Sequence, residues 1–194
     1  LDLLHQDKRA IAKAITLIES KKHTDQAAKD TLLTTLAEQK KRALRIGITG
    51  VPGVGKSSLI EALGLHILSV KPDAQLGILT IDPSSPVRHG SILGDKLRMQ
   101  NLLQNKRVFI RTSPCGNELG GVNKNTYESI FLLEAIGFDF VIVESTGVGQ
   151  SEHALHDMVD IFVYMHMPAT GDEIQAMKKG ILELSDMIVI GKAD

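Results

Sequence analysis

Apolar residues recur along this chain with two different periods. In residues 1–42, Leu4, Ile11, Ile15 and Ile18 share one helical face, Lys21 to Asp25 form a polar break, and Leu32, Leu33 and Leu36 make a second stripe. The pattern predicts two helices, with Thr24 or Asp25 as N-cap of the second and the basic cluster Lys40, Lys41, Arg42 closing it where cations suit the helix dipole. From Leu44 onward short apolar runs alternate with helical spacing. Strands are expected at 44–49, 76–81, 107–111, 139–144, 160–166 and 186–190, and helices near 56–70, 95–105, 124–136 and 172–184. Almost continuously apolar runs such as Phe138-Asp139-Phe140-Val141-Ile142-Val143 suit a parallel sheet covered on both faces, and crossovers of this length suit parallel neighbours. The expected class is therefore α/β, a doubly wound, mostly parallel sheet over 43–194, with a helical extension over 1–42 packed against it.

Composition narrows the function. With 194 residues, 43% hydrophobic and 23% charged, the chain can bury a sizeable core. A net charge of −1 gives no overall pull toward nucleic acid or an anionic membrane. No apolar stretch approaches the roughly 20 residues that span a bilayer. Cys115 stands alone, so no internal disulfide forms, which suits a reducing compartment: the cytoplasm, or alternatively the mitochondrial matrix. The seven histidines lack ligand-like spacing. The first residue is not Met and both ends read as truncated, so a C-terminal part is expected to be missing.

The chemistry centres on Gly50 to Ser58, Gly-Val-Pro-Gly-Val-Gly-Lys-Ser-Ser, which matches G-x-x-x-x-G-K-[ST] between a strand and a helix. Glycines let successive backbone N–H groups turn inward, and the helix behind offers unpaired donors and its positive dipole end. Gly53, Val54, Gly55, Lys56, Ser57 and Ser58 are thus expected on a polyphosphate, with the Lys56 ammonium on its outer phosphates and the Ser57 hydroxyl on Mg²⁺.

If the sheet is parallel, other functional groups should follow its strands. Asp82, in Asp-Pro-Ser-Ser-Pro, is a candidate for Mg²⁺ or its water shell, and equally a turn residue. Asp95 lies in a polar, glycine-containing stretch fit to rearrange around a γ-phosphate, or caps the next helix. Glu144 closes a buried strand, with Gly147 placed to offer its N–H to the γ-phosphate. Gln150 either orients attacking water or caps a following helix. Gly191-Lys192-Ala193-Asp194 stands where GTP-binding domains carry Asn-Lys-x-Asp: Asp194 would accept from guanine and the Lys192 stem would cover the base, but Gly191 replaces the Asn. Arg111 to Gly121 reads as a long strand-to-helix loop, and Asp172 and Glu173 suit a first helical turn followed by Lys178 and Lys179.

Taken together, Gly50–Ser57, Asp82–Ser85, Gly-Ser-Ile-Leu-Gly-Asp-Lys at 90–96, Leu-Gly-Gly at 119–121, Thr-Gly-Val-Gly-Gln-Ser-Glu at 146–152 and Gly-Asp-Glu-Ile-Gln-Ala-Met-Lys-Lys-Gly-Ile at 171–181 closely resemble the MeaB/ArgK family. The resemblance covers nearly the whole chain. It implies a P-loop GTPase that binds GTP or GDP with Mg²⁺ and serves as chaperone to an adenosylcobalamin-dependent mutase, chiefly methylmalonyl-CoA mutase. Carried across, it places Lys56 and Ser57 on phosphate and Mg²⁺, puts Asp82, Asp95 and Glu144 in the metal and switch apparatus, and makes Asp172, Glu173, Lys178 and Lys179 part of a switch that faces the mutase. It also implies a homodimer formed through the C-terminal part. Older names of ArgK-type proteins suggest an alternative, an ATP-dependent kinase or transport-associated ATPase. The chain departs from the family pattern at Gly191, Thr146, Asn125 and Tyr127.

Overall fold

In the computed structural model, the described residues are 3, 6–39, 41–82, 99–114, 119–145, 151–167 and 179–192. Two helices, α1 (Lys8–Glu19) and α2 (His23–Ala37), precede β1 (Leu44–Gly50), α3 (Lys56–Val70) and β2 (Leu76–Asp82). Then follow α4 (Gln100–Gln104), β3 (Val108–Pro114), α5 (Leu119–Ala135), β4 (Phe140–Ser145), α6 (Ser151–His156), β5 (Ile161–His166), α7 (Lys179–Leu184) and β6 (Met187–Ile190). The six strands form one sheet in the order β3-β2-β4-β1-β5-β6, and every neighbouring pair is parallel. This is the expected doubly wound α/β architecture.

The two-residue period of the strands divides the core between two faces. Val141 and Val143 of β4 join Leu79 and Ile81 of β2 in a cluster with Ile11, Ile15 and Ile18 of α1, Leu36 of α2 and Ile130 and Leu133 of α5. Phe140 and Ile142 point the other way, with Ile46, Ile48, Ile78 and Val163, against Ile60 and Leu68 of α3 and Leu102 of α4. The first two helices therefore share the core of one sheet face. Ile11, Ile15 and Ile18 with Leu32, Leu33 and Leu36 face this core as the spacing predicts, Leu4 lies outside the described residues, and α1 starts where Asp7 accepts from the Arg9 N–H at 3.1 Å.

Charged groups tie distant parts of this frame together. Arg45 of β1 grips Glu134 of α5 with two hydrogen bonds, 2.8 Å from Nε and 2.5 Å from Nη2, and that bonding holds the guanidinium pKa above its usual range. Lys29 of α2 is buried and donates to the Ile18 carbonyl at 2.7 Å, while its ammonium lies 2.7 Å from the Glu128 carboxylate of α5. Glu19, the last residue of α1, accepts from Arg111 Nη2 and Ser113 Oγ of β3, each at 2.5 Å.

Several expectations need correction. Neither Thr24 nor Asp25 caps α2: the helix begins at His23, no side chain caps it, and the Asp25 carboxylate is taken by the Ser20 hydroxyl at 2.5 Å across the corner between the helices. The helix ends at Ala37 with no basic residue in its last turn, so Lys41 and Arg42 lie beyond the reach of its dipole. Residues 111–114 continue β3, because β2 pairs with β3 as far as Asp82 and Pro114, and α5 starts at Leu119; the connection is accordingly short. α6 stands where the capping reading of Gln150 requires a helix, with Gln150 itself outside the described residues.

Candidate functional site

All six strands run the same way, so their carboxyl ends meet along one edge. There Gly50 is level with Met165, Ile81 with Ser145, Asp82 with Pro114 and His166 with Ile190. Gly50 ends β1, which lies between β4 and β5. The loop that leaves it therefore sits at the middle of the edge, where ligands of doubly wound sheets bind.

The loop has the shape its glycines predict. Gly53 has φ 80° and Gly55 φ 107°, and a Cβ on either would meet open space, so these glycines answer backbone conformation rather than crowding. Gly50 answers crowding as well: a Cβ there would lie 2.4 Å from the Met165 carbonyl oxygen. Gly55 is the N-cap of α3 and no side chain caps that helix. The first turn of α3 consequently presents its N–H groups and positive dipole end to whatever occupies the loop, a disposition that fits a polyphosphate. The buried Lys56 ammonium donates to the carbonyls of Gly50 at 2.8 Å and Val51 at 3.2 Å, which draws both ends of the loop around one cation. Ser57 is 6% exposed and Val54 1%, whereas Ser58 is exposed.

Beside the loop, Glu144 of β4 is buried, its Cα level with Ile48 of β1 and Thr80 of β2. The next residue, Ser145, donates its hydroxyl to Thr49 Oγ1 at 2.9 Å, which braces the ends of β1 and β4 against each other. That brace had no signal in the sequence, since a Thr and a Ser 96 positions apart become neighbours only through the pairing of β1 with β4. Of the residues expected on Mg²⁺, Ser57 and Glu144 have described side chains; Asp82 is placed by its backbone alone, at the end of β2, and Asp95 lies outside the described residues. Gly147, Gln150, Asp172, Glu173, Lys178 and Asp194 also lie outside them, and Lys179 is placed by its backbone in α7.

At the end of β6, the Gly191 N–H donates to the His166 carbonyl at 2.8 Å, and exposed Lys192 has φ 54°. A cavity of about 460 Å³, lined by Arg42, Lys71, Asp73 and Phe140 among others, opens at the opposite, amino-terminal edge of the sheet and touches none of the expected chemistry.

A phosphate loop joining a central strand of a parallel sheet to its following helix, with an acidic residue on the adjacent strand, defines a P-loop nucleotide-binding protein. Residues 11–194 match the family described as Methylmalonyl Co-A mutase-associated GTPase MeaB, and the chain belongs to that family. GTPase ArgK of Escherichia coli is 44% identical over 192 residues, which cover 98% of this chain and 57% of that protein. The mitochondrial methylmalonic aciduria type A homolog of Caenorhabditis briggsae is 43% identical over 203 residues, covering 100% of this chain and 49% of that protein. A crystal structure of a LAO/AO transport system kinase superposes with a TM-score of 0.76 at 33% identity, over 99% of this chain and 54% of the other. The chain thus spans about half the length of the curated relatives it matches.

Proposed function

We propose that this protein binds GTP and GDP with Mg²⁺, hydrolyses GTP slowly, and uses the difference between the two states to gate loading or protection of the cofactor of an adenosylcobalamin-dependent acyl-CoA mutase such as methylmalonyl-CoA mutase. The observation that carries this reading is the phosphate loop, where positive-φ glycines, an uncapped α3 and a Lys56 ammonium held on loop carbonyls converge. Gly53 to Ser58 would surround the phosphates, Lys56 would meet their charge, and Lys192 and Asp194 would take the base. Ser57 and Glu144, with Asp82 and Asp95, would hold the metal. Mg²⁺ when bound supplies charge neutralisation between phosphates. Glu144 and Gly147 with Gln150 would orient water and the γ-phosphate for in-line attack, so that catalysis rests on position and electrostatics rather than on a covalent intermediate. Asp172, Glu173, Lys178 and Lys179 would report the nucleotide state to the mutase, residues 1–42 act as a helical extension of a nucleotide domain at 43–194, and the full protein pairs with a second copy beyond Asp194. The compartment would be the cytoplasm, with the mitochondrial matrix as the alternative; among the described residues no helix is long and apolar enough to cross a membrane.

The family's name and the names of the relatives support the mutase connection. The test is hydrolysis by the full-length protein with and without a cobalamin-dependent mutase. We expect basal turnover on the order of 10⁻⁴ to 10⁻³ per second, as for GTPases lacking an arginine finger, and stimulation by the mutase. Equal rates in both conditions would remove the chaperone reading. Gly191 favours a second reading, an ATP-dependent kinase or transport-associated ATPase, because the amide of Asn-Lys-x-Asp is absent. Competition between GTP and ATP decides between them, and preference for ATP would overturn the guanine assignment.

A further inference from the structure

Gly191 is the departure from Asn-Lys-x-Asp that its motif alone leaves unexplained. Its backbone needs no glycine, since its φ is not positive. Its surroundings do. A Cβ on Gly191 would lie 2.6 Å from the Val54 carbonyl oxygen and 3.3 Å from Val54 Cγ2. The nearer obstacle is main chain, which cannot swing aside as a side-chain tip can. Both partners are held: Gly191 by its hydrogen bond to the His166 carbonyl, and Val54, 1% exposed, by its place between the positive-φ glycines 53 and 55 and its N–H bond to the Val51 carbonyl at 3.3 Å.

We infer that Gly191 is a positioning residue for the phosphate loop: its bare Cα lets the segment after β6 rest on the Val54 peptide and fix the direction of the loop's N–H groups. This rests on the nucleotide-binding reading above. With Gly50 against the Met165 carbonyl, the loop is flanked on two sides by main chain from the ends of β5 and β6. A side chain at 191 must displace either the Val54 peptide or the segment that carries Lys192. Displacing the peptide turns the neighbouring N–H groups, which disturbs phosphate binding whatever base the nucleotide carries. The motif makes the opposite forecast, that Gly191→Asn restores an amide and strengthens guanine binding while leaving phosphate contacts unchanged.

The experiment measures binding of GDP, ADP and inorganic tripolyphosphate, each with Mg²⁺, to the full-length protein and to Gly191→Ala, Gly191→Asn and Val54→Ala/Gly191→Ala. We expect Gly191→Ala to weaken GDP and tripolyphosphate by the same factor, about tenfold. Gly191→Asn should weaken them at least as much, and Val54→Ala should rescue little, because the obstacle is the carbonyl. Unchanged tripolyphosphate binding in the folded variants, or tighter GDP binding by Gly191→Asn, would overturn the inference. So would loss of the near-ultraviolet circular dichroism of Gly191→Ala without ligand, since the contact would then be a requirement of folding. A wild-type protein that binds neither GDP nor tripolyphosphate would instead overturn the nucleotide reading itself, and this inference with it.

Discussion

Lys56 serves two sets of acceptors. Its ammonium lies on the carbonyls of Gly50 and Val51, so the cation that would face a phosphate also draws the loop together. Replacing it with Ala would remove the charge-assisted contact proposed to the ligand and leaves those carbonyls without this donor. A hydrogen bond to a charged group is worth about 1.5–3 kcal/mol, so Lys56→Ala is expected to weaken GDP binding by about 10- to 100-fold. Titration calorimetry measures this directly, and an unchanged affinity would remove Lys56 from the site. Val54, two residues earlier, shows the same economy of space: only 1% exposed although it lies in a loop, it belongs to the apolar cluster of the α3 face while its carbonyl borders Gly191.

At the scale of elements, the helical pair at the N-terminus is fastened by its charged groups as well as by its apolar stripe. Lys29 and Glu128 have side-chain exposures of 8% and 12%, so deleting one partner leaves a poorly solvated charge on the other. Lys29→Met is expected to cost about 3 kcal/mol in urea unfolding, with part of it recovered when Glu128→Leu is added. Hydrogen exchange should accelerate in 8–37 while β1 and β4 stay protected; uniform acceleration would show that the pair serves global stability instead. Strands such as β4 and β5 were legible because each is a run of apolar residues buried on both faces of the sheet, and β6 was legible by the same apolar run although Met187, Ile188 and Ile190 are exposed. The phosphate loop was legible because its glycines and lysine act at fixed local spacing. α6 showed only as the helix that Gln150 would cap, because Ser-Glu-His-Ala-Leu-His is too short to show a helical period. The buried Lys29 looked like any surface lysine, since the acid and amide that receive it, Glu128 and Asn125, lie about a hundred residues away. The start of α2 misled for a related reason: Asp25 had a cap's chemistry, but Ser20 claimed its carboxylate.

The whole molecule should respond to nucleotide through linkage. A ligand at 100 times its dissociation constant stabilises the folded state by about 2.7 kcal/mol, which for a domain of this size raises Tm by about 5–10 °C. GDP with Mg²⁺ is expected to produce a shift of that order, and chelating the metal with EDTA is expected to reduce it, because Ser57 and Glu144 then lose the ion proposed to join them to the phosphates. A melting curve indifferent to GDP would contradict the proposed site. The sheet order makes this response global, since β1, whose end leads into the phosphate loop, bonds to both β4 and β5, sets Ile46 and Ile48 into the core of the α3 face and lies by Gly47 against Leu155 and Phe162 of the other.

That same strand order sets a timetable for the nascent chain. β1 leaves the ribosome before its sheet partners β4 and β5, and Gly50 finds its place against the Met165 carbonyl about 115 residues later. At synthesis rates of about 5–20 residues per second, roughly 6 to 23 seconds separate translation of the loop from translation of the strand that supports it. During that interval the residues from Leu44 to Lys56 lack the β5 side of the sheet that shapes them. The nucleotide proposed to bind this loop would therefore be captured only once β5 has paired with the first strand.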